Sequence, residues 1–216
     1  MNIFLSKRSQ RGRTRLEFRL VKTKAPIATG HAADRTTQPL IEAYLQAQHL
    51  KQLFRQGWLR LGVSEEHCES VAEHSFGVAL LALWLVDQHY PDLDRDKVLR
   101  LALVHDLGEV HAGDITPVDG VPADEKHRRE RASVDEVFAS LPNGEEYLAL
   151  WMEFEDQETP ESQLVKQIDR LEMAFQAAVY EHQDLADLKE FFDSADAAIR
   201  DPALREILEE LVRLRR

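Results

Sequence analysis

The sequence predicts an all-α fold, a helical bundle, on three observations. From Leu40 onward, apolar residues recur at the three- and four-residue spacing of helices that bury one face. Residues that start and stop helices separate these segments clearly. No run of alternating apolar and polar residues is long enough to indicate a β-sheet, and the sequence contains no internal repeat.

The size and composition indicate one domain. The chain has 216 residues, of which 44% are hydrophobic, which is enough for a true core. Cys68 is the single cysteine, so neither an intrachain disulfide nor a cysteine-rich zinc site can form. Any metal would be bound by histidines and carboxylates. The sequence shows neither a long apolar run nor a secretory signal, so we expect a cytoplasmic protein without membrane contact.

The charge is unevenly distributed along the chain, whose formal net charge is −12. Residues 1–40 contain nine Lys and Arg residues against Glu17 and Asp34, a balance of +7, which leaves −19 for residues 41–216. Because an acidic body repels a nucleic-acid backbone, we expect no polymeric nucleic-acid partner. A small phosphorylated substrate fits better, provided that a local cation offsets the surrounding charge.

Residues 1–39 have no sustained periodicity and are rich in basic residues, so the sequence predicts a flexible basic N-terminal arm. Residues 40–216 are predicted to form the single domain. Two alternatives for the arm stay open. It could be an organelle-targeting peptide, since acidic residues are scarce, or an extension from an upstream start codon.

The first part of the domain is predicted to contain two helices. A helix over about 40–54 is followed by a connecting loop over 58–69. Ser70 and Glu73 have the spacing of a capping box, which predicts the start of a helix that runs to about Tyr90.

The central part is predicted to contain two further helices. Asp94 can cap a helix over about 95–111, and Gly113 supplies the conformation that ends it. A loop rich in glycine and proline over 112–122 precedes a charged helix over about 123–140.

The last part is predicted to contain four helices. One covers about 144–155. Thr159-Pro160 combines an N-cap with proline at the first helical position, which predicts a long helix to about His182. A helix over about 186–199 comes next, and Asp201-Pro202 opens the terminal helix in the same way.

Polar residues interrupt otherwise apolar helical faces at three places: His74, the pair His105-Asp106, and Asp169. Each alone has a structural explanation, as a hydrogen-bonded core histidine or a member of an ion pair. Together they are harder to explain, because burying two imidazoles and two carboxylates costs several kcal/mol unless a charge compensates them. A divalent cation is the simplest compensating group.

This donor set indicates which ions and which chemistry to expect. Two imidazole nitrogens and two carboxylate oxygens suit Mn, Co or another transition metal, whereas Mg, kept as an alternative, prefers oxygen ligands. Four ligands leave open positions on an octahedral ion for water and a phosphate oxygen. Such an ion polarises a phosphoryl group and lowers the pKa of water, so the pattern favours hydrolysis.

Four blocks in order make the chain resemble a known family. They are Ser70–Ser75, Leu101–Glu109, Gly113–Pro117 and Lys166–Glu172. Together they look like the HD-domain 5′-deoxynucleotidases of the HD superfamily, and the match extends from about Leu50 to the C-terminus. The resemblance implies an HD phosphohydrolase domain over 40–216 that converts deoxyribonucleoside 5′-monophosphates to deoxynucleosides and phosphate. It also implies a homodimer.

The resemblance further implies roles for individual residues. The metal ligands would be His74, His105, Asp106 and Asp169. Glu109 would be catalytic, either by orienting and deprotonating water or by protonating the leaving 5′-oxygen.

Three more residues match family positions near the substrate. Asp114 matches a residue near the sugar and phosphate, and together with Glu109 it could instead hold a second divalent ion. Arg55 and Trp58 match an Arg and a Trp that contact the substrate. A surface role for Asp114 and a core role for Trp58 are the alternatives. Leu59 and Arg60 stand in exchanged order relative to relatives, which puts recognition of the sugar in doubt.

Two other functions are considered. A related HD hydrolase could act on another nucleotide, such as an alarmone or a cyclic dinucleotide. Alarmone hydrolases follow His-Asp with an acidic pair, whereas Val110 follows Glu109 here, and His111 and His127 lack the motif of dinuclear phosphodiesterases. The protein could also be a noncatalytic nucleotide-binding module, but the sequence contains the full catalytic set.

Overall fold

The computed structural model describes residues 21–25 and 38–215, and this part of the chain is a helical bundle. The helices are α1 (Pro39–Ala47), α2 (Gln56–Arg60), α3 (Val71–His89), α4 (Arg95–Val104), α5 (Glu109–Ala112), α6 (Ala123–Phe138), α7 (Gly144–Asp156), α8 (Pro160–His182), α9 (Lys189–Ala198) and α10 (Pro202–Arg213). Short 3-10 turns cover Gln48–Lys51 and Pro117–Asp119. Within the described residues, the pairings of extended backbone are isolated bridges, so the predicted all-α class is confirmed.

Helix α8 is the central element of the bundle. It packs against α3, α4, α7, α9 and α10. Its side chains Val165, Ile168 and Leu171 are fully buried. A fully buried aliphatic side chain contributes about 1.5–3 kcal/mol of hydrophobic free energy. A smaller apolar cluster, which includes Trp151, lies between α6, α7 and the turn that follows α1.

The predicted helix starts are confirmed by their hydrogen bonds. Ser70 and Glu73 form the expected capping box at α3. The side chain of Asp94 accepts a hydrogen bond from the backbone N–H of Lys97 at the start of α4. Thr159 caps α8, with proline at the first helical position. These caps satisfy backbone N–H groups that the helix itself leaves unpaired, which explains why the local sequence specifies them.

The prediction of one helix over 95–111 is wrong. Helix α4 ends at Val104, and α5 begins only at Glu109. Between them the chain continues through hydrogen bonds of the tighter i−3 type, such as Leu107 N–H to the Val104 carbonyl. One cause is that Nδ1 of His105 contacts the carbonyl of Ala102. In a regular α-helix this carbonyl would accept the backbone N–H of Asp106.

The first predicted helix and the following loop also differ from the structure. Helix α1 ends at Ala47 instead of continuing to residue 54: the 3-10 turn Gln48–Lys51 follows it, and Leu53 and Phe54 then form antiparallel bridges with Thr23 and Ser70. The predicted loop over 58–69 overlaps the short helix α2. These differences depend on contacts with distant parts of the chain, which local periodicity does not report.

Residues 1–20 and 26–37 of the predicted N-terminal arm lie outside the described residues, and Gln38 and Pro39 at its end cap and begin α1. The remaining part of the arm, residues 21–25, is described. This segment contacts the helical body. The Lys24 backbone N–H donates to the carbonyl of Gln52 at 2.7 Å, and the Lys24 ammonium pairs with Glu73 at 2.9 Å. The Lys22 ammonium pairs with Glu65 at 2.8 Å. Residues 21–25 are therefore attached to the domain.

Among the described residues, no helix has both the length and the apolar character needed to span a bilayer.

The cap of α10 gives a stability test. The carboxylate of Asp201 accepts hydrogen bonds from the backbone N–H groups of Ala203 and Leu204 and from the hydroxyl of Tyr90. Replacing Asp201 with Ala should therefore lower the free energy of unfolding by about 1–2 kcal/mol, measured by urea denaturation. Asn at this position keeps a side-chain acceptor, so Asp201→Asn should lose clearly less. Equal losses for the two variants would contradict the role of the cap.

Candidate metal centre and active site

The four predicted metal ligands lie together where α3, the turn after α4 and α8 meet. Nε2 of His74 is 3.1 Å from Oδ1 of Asp169 and 3.7 Å from Oδ2 of Asp106. Nε2 of His105 is 3.3 Å from the same oxygen of Asp106. The fold therefore brings into one cluster residues that are up to 95 positions apart in the sequence.

The cluster is buried and contains polar atoms that form no hydrogen bond. His74 is 0% exposed, and His105 is 4% exposed. Within the described part of the chain, Nε2 of His105 and Oδ2 of Asp106 are buried without a well-aligned hydrogen bond. Each such atom costs on the order of 1–3 kcal/mol when nothing compensates it. A cation bound between these atoms would remove this cost.

Both imidazoles direct the same nitrogen toward the cluster. Nδ1 of His105 lies 2.8 Å from the carbonyl of Ala102, and Nδ1 of His74 lies 2.6 Å from Oε2 of Glu172. Because carbonyl and carboxylate oxygens accept hydrogen bonds, these contacts favour a proton on Nδ1. The lone pair of each Nε2 is then available as a metal ligand.

The charges in the cluster shift the pKa values of its members. Burial and the charge of Arg55 lower the pKa of His74, but hydrogen bonds to Asp169 and Glu172 outweigh them and raise it to about 10. Burial raises the pKa of Asp169, but the hydrogen bond with His74 and the charge of Arg170 hold it well below its usual value. Positive charge beside Asp169 is thus strongly stabilised. A metal would take the place of the His74 Nε2 proton.

The residues fit a divalent metal. Ligand atoms of His74, His105 and Asp106 all lie within 4.8 Å of one another, and Asp169 adds an oxygen next to His74. Mixed imidazole and carboxylate ligands are typical of divalent transition metals. A cation would also compensate the unpaired atoms of His105 and Asp106.

The cluster forms one wall of a cavity of about 430 Å³. This volume is in the range of sites for small molecules, roughly 300–1,000 Å³. Seven of the eight predicted site residues line it, namely Arg55, Trp58, His105, Asp106, Glu109, Asp114 and Asp169. His74 lies behind this wall, where solvent does not reach it.

Glu109 and Asp114 are buried and face the same cavity. Burial and the negative charges of Asp114 and Asp106 raise the pKa of Glu109 well above its usual value. Burial also raises the pKa of Asp114, although Arg55 and a 2.6 Å hydrogen bond from the Gln56 backbone N–H oppose this. The carboxylates repel one another, and a divalent cation among them would offset that repulsion.

Arg55 is a cation of the site with only 13% of its side chain exposed. Its Nη1 lies 3.5 Å from Oδ2 of Asp106. Burial lowers the pKa of Arg55, but the negative charges of Asp114, Asp106 and Glu109 outweigh burial and raise the pKa above its usual value. The guanidinium therefore stays charged. A fixed guanidinium at the cavity wall can bind a phosphate through two N–H groups.

Trp58 has a different position from the one expected for a residue that stacks on a base. It is 1% exposed, and its ring packs on Phe191 at 3.9 Å between centroids and edge-on against Tyr180 at 5.4 Å. Its Nε1–H donates to Glu69. In this structure the indole forms part of the cavity wall with its faces covered by protein.

Sequence reasoning missed several residues of the site. Glu172 binds His74, while Lys126, Arg170 and Phe191 line the cavity. Glu172 could have been found, because it follows Asp169 by three positions and therefore shares its helix face. Arg170 directly follows Asp169 on α8, whereas Lys126 and Phe191 lie on helices whose distance from the cluster only the packing decides.

Comparisons with known proteins agree with this geometry. Residues 47–211 match the family model described as HD domain. The chain is 37% identical over 193 residues to 5′-deoxynucleotidase HDDC2 of Bos taurus, covering 87% of this chain and 90% of the relative. It is 35% identical over 187 residues to the protein of the same name in Homo sapiens, covering 85% and 87%.

Solved structures give the same result. The PH0347 protein from Pyrococcus horikoshii OT3 superimposes with a TM-score of 0.70 at 36% identity, covering 81% of this chain and 99% of that one. A structure described as a predicted metal-dependent phosphohydrolase from Magnetospirillum magnetotacticum MS-1 has a TM-score of 0.60 at 26% identity, covering 81% and 89%. From its sequence match, its fold and its clustered histidines and aspartates, this chain belongs to the HD-domain family.

Proposed function

We propose that the protein is a metal-dependent 5′-deoxynucleotidase, which hydrolyses deoxyribonucleoside 5′-monophosphates to a deoxynucleoside and phosphate. The observation that carries the proposal is the buried cluster of two imidazoles and two carboxylates at a polar cavity that also contains a fixed guanidinium. The deoxynucleotide is inferred from the names of relatives that match most of the chain.

In this proposal, His74, His105, Asp106 and Asp169 hold a divalent ion, with Mn or Co as the expected metals and Mg as the alternative. The ion supplies Lewis-acid activation of the phosphoryl group and of water. Glu109 and Asp114 are the candidates for a second ion, since both carboxylates face the same cavity.

The remaining residues bind and orient the reactants. Arg55 binds oxygens of the phosphate through its guanidinium. Glu109 moves a proton, either from the attacking water or to the leaving 5′-oxygen. Water forms the new bond to phosphorus as the bond from phosphorus to the 5′-oxygen breaks, and the water protons end on phosphate and the deoxynucleoside. Asp114 lies where it can contact the sugar, and Trp58 shapes the wall.

The alternatives receive less support. The curated relatives are named 5′-deoxynucleotidases, which favours a monophosphate over an alarmone or a cyclic dinucleotide. A noncatalytic nucleotide-binding module would not require buried, unpaired atoms on His105, Asp106 and Glu109.

Three further expectations stay predictions. The homodimer follows from the family resemblance. The cytoplasmic location and the absence of a polymeric nucleic-acid partner follow from the composition and the acidic body of the chain.

The substrate is tested by phosphate release from purified protein with Mn or Co. The panel contains deoxyribo- and ribonucleoside 5′-monophosphates, an alarmone and a cyclic dinucleotide. We expect release from the deoxynucleotides and much slower release from their ribonucleotide counterparts. Activity confined to the alarmone or the cyclic dinucleotide would overturn the proposal.

Asp106→Ala should abolish turnover together with metal binding, because one oxygen of Asp106 lies close to both Nε2 atoms, 3.7 Å from that of His74 and 3.3 Å from that of His105. Metal content is measured by mass spectrometry, and circular dichroism checks that the helices remain. Asp87→Ala is the matched control, since Asp87 is an exposed aspartate on α3 paired only with Arg95 among the ion pairs described. Full activity of Asp106→Ala would remove the assignment.

Glu109→Gln should keep at least one bound metal but lose kcat by about 10²-fold or more, the usual scale for a proton-transfer group. The amide preserves the size of the side chain while removing its ability to transfer a proton at neutral pH. The two quantities are measured on the same preparation. A normal rate with normal metal content would show that Glu109 has another role.

A further inference from the structure

Glu172 occupies a special position in the cluster, on the side of His74 that faces away from the other proposed ligands. Its Oε2 lies 2.6 Å from Nδ1 of His74, while Nε2 of the same ring points to Asp169 and Asp106. Glu172 is buried, and it follows Asp169 by one helical turn on α8. One helix therefore contacts both nitrogens of one imidazole.

Gly77 on α3 provides the space for this carboxylate. A methyl group at Gly77 would overlap Oε1 of Glu172 and lie 3.0 Å from its Cδ. A glycine inside a long helix is normally unfavourable, because alanine is the better helix former. The backbone of α3 does not require glycine at this position, because φ of Gly77 is not positive. The lack of a side chain at Gly77 instead allows the carboxylate of Glu172 to lie close to α3.

A second carboxylate lies near the same ring but is engaged elsewhere. Oε1 of Glu69 accepts a 2.8 Å hydrogen bond from Nε1–H of Trp58. Ligand atoms of Glu69, His74 and Glu172 lie within 4.8 Å of one another, so this group could itself be read as a metal site. We favour a hydrogen bond between Glu172 and His74 over a metal at this place, because Glu172 already lies at hydrogen-bond distance from Nδ1 of His74 and Glu69 is bound to the indole of Trp58.

We propose that Glu172 is the positioning residue of the metal centre: it accepts the Nδ1–H of His74, fixes the ring with Nε2 directed at the metal, and depends on Gly77 for its place. A carboxylate in this role also makes the imidazole a stronger donor. The proposal rests on the metal site of the proposed function. It adds two residues, Glu172 and Gly77, that act through His74 and do not touch substrate.

The first test measures the affinity for Zn²⁺ by competition with a chromophoric chelator. Loss of a carboxylate partner behind a metal-binding histidine typically weakens binding by about 10–100-fold, and we expect this range for Glu172→Ala. Glu172→Gln keeps an oxygen that can accept the Nδ1–H, so it should recover part of the loss. Glu181→Ala is the control, because Glu181 lies on the same helix and pairs with Arg215 at 2.8 Å. It should bind Zn²⁺ like the wild type.

The second test uses a double-mutant cycle. Gly77→Ala should weaken Zn²⁺ binding because the added methyl displaces the Glu172 carboxylate. In the Glu172→Ala background the same methyl has nothing to displace, so the double variant should bind no worse than Glu172→Ala alone. Additive losses would show that Gly77 acts independently of Glu172 and would overturn the link between them.

The third test observes the ring directly. In Zn²⁺-loaded wild type, long-range proton–nitrogen NMR spectra should show His74 with the proton on Nδ1. In Glu172→Ala this proton resonance should shift and exchange faster with solvent. A merely structural role of Glu172 would not change it.

The outcomes separate this inference from the proposed function. Wild type that bound no Zn²⁺ would overturn the metal site and this inference with it. Wild-type binding with an unchanged affinity and an unchanged His74 resonance in Glu172→Ala would overturn the inference alone. Loss of one complete equivalent of Zn²⁺, with the remaining affinity unchanged, would also overturn it, because Glu172 would then be a ligand of a separate site.

Discussion

Burial of charge at the junction of α3, α4 and α8 is the constraint on which the rest of the structure depends. Two imidazoles and two carboxylates occupy a nearly dry position, where polar atoms without partners are costly. The protein satisfies Nδ1 of each histidine internally, with Ala102 for His105 and Glu172 for His74. The two Nε2 atoms remain, and they lie 3.1–3.7 Å from oxygens of Asp106 and Asp169, an arrangement that a cation stabilises.

This constraint explains features of the bundle that packing alone does not. The tight turn after α4 carries His105 and Asp106, and α5 begins with Glu109, so all three residues line the cavity. At Gly108 a methyl group would lie 2.8 Å from Cβ of Glu130, so the turn must pass very close to α6. The turn that ends α4 is thus the same turn that carries His105 and Asp106.

In the proposed function, the cavity binds an anion although the protein itself carries a net negative charge. Asp106, Glu109 and Asp114 line the cavity, and burial together with the charges of Asp114 and Asp106 raises the pKa of Glu109. Arg55 offsets part of this charge, and a divalent ion would offset more. The N-terminal segment contributes to the support of this wall, since Gln56 accepts the backbone N–H of Lys22 through its side chain and donates its own backbone N–H to Asp114. The described part of the arm therefore stabilises the edge of the cavity.

The sequence by itself determined the helical class, the capped starts of α3, α4, α8 and α10, and the residues of the cluster. Caps and periodicity are local, so the hydrogen bonds that specify them involve residues a few positions apart. Only the packing of the helices covers Trp58 with Phe191 and brings Glu172 to Nδ1 of His74. These features depend on contacts between residues distant in the chain, and neither periodicity nor spacing contains the distances between helices.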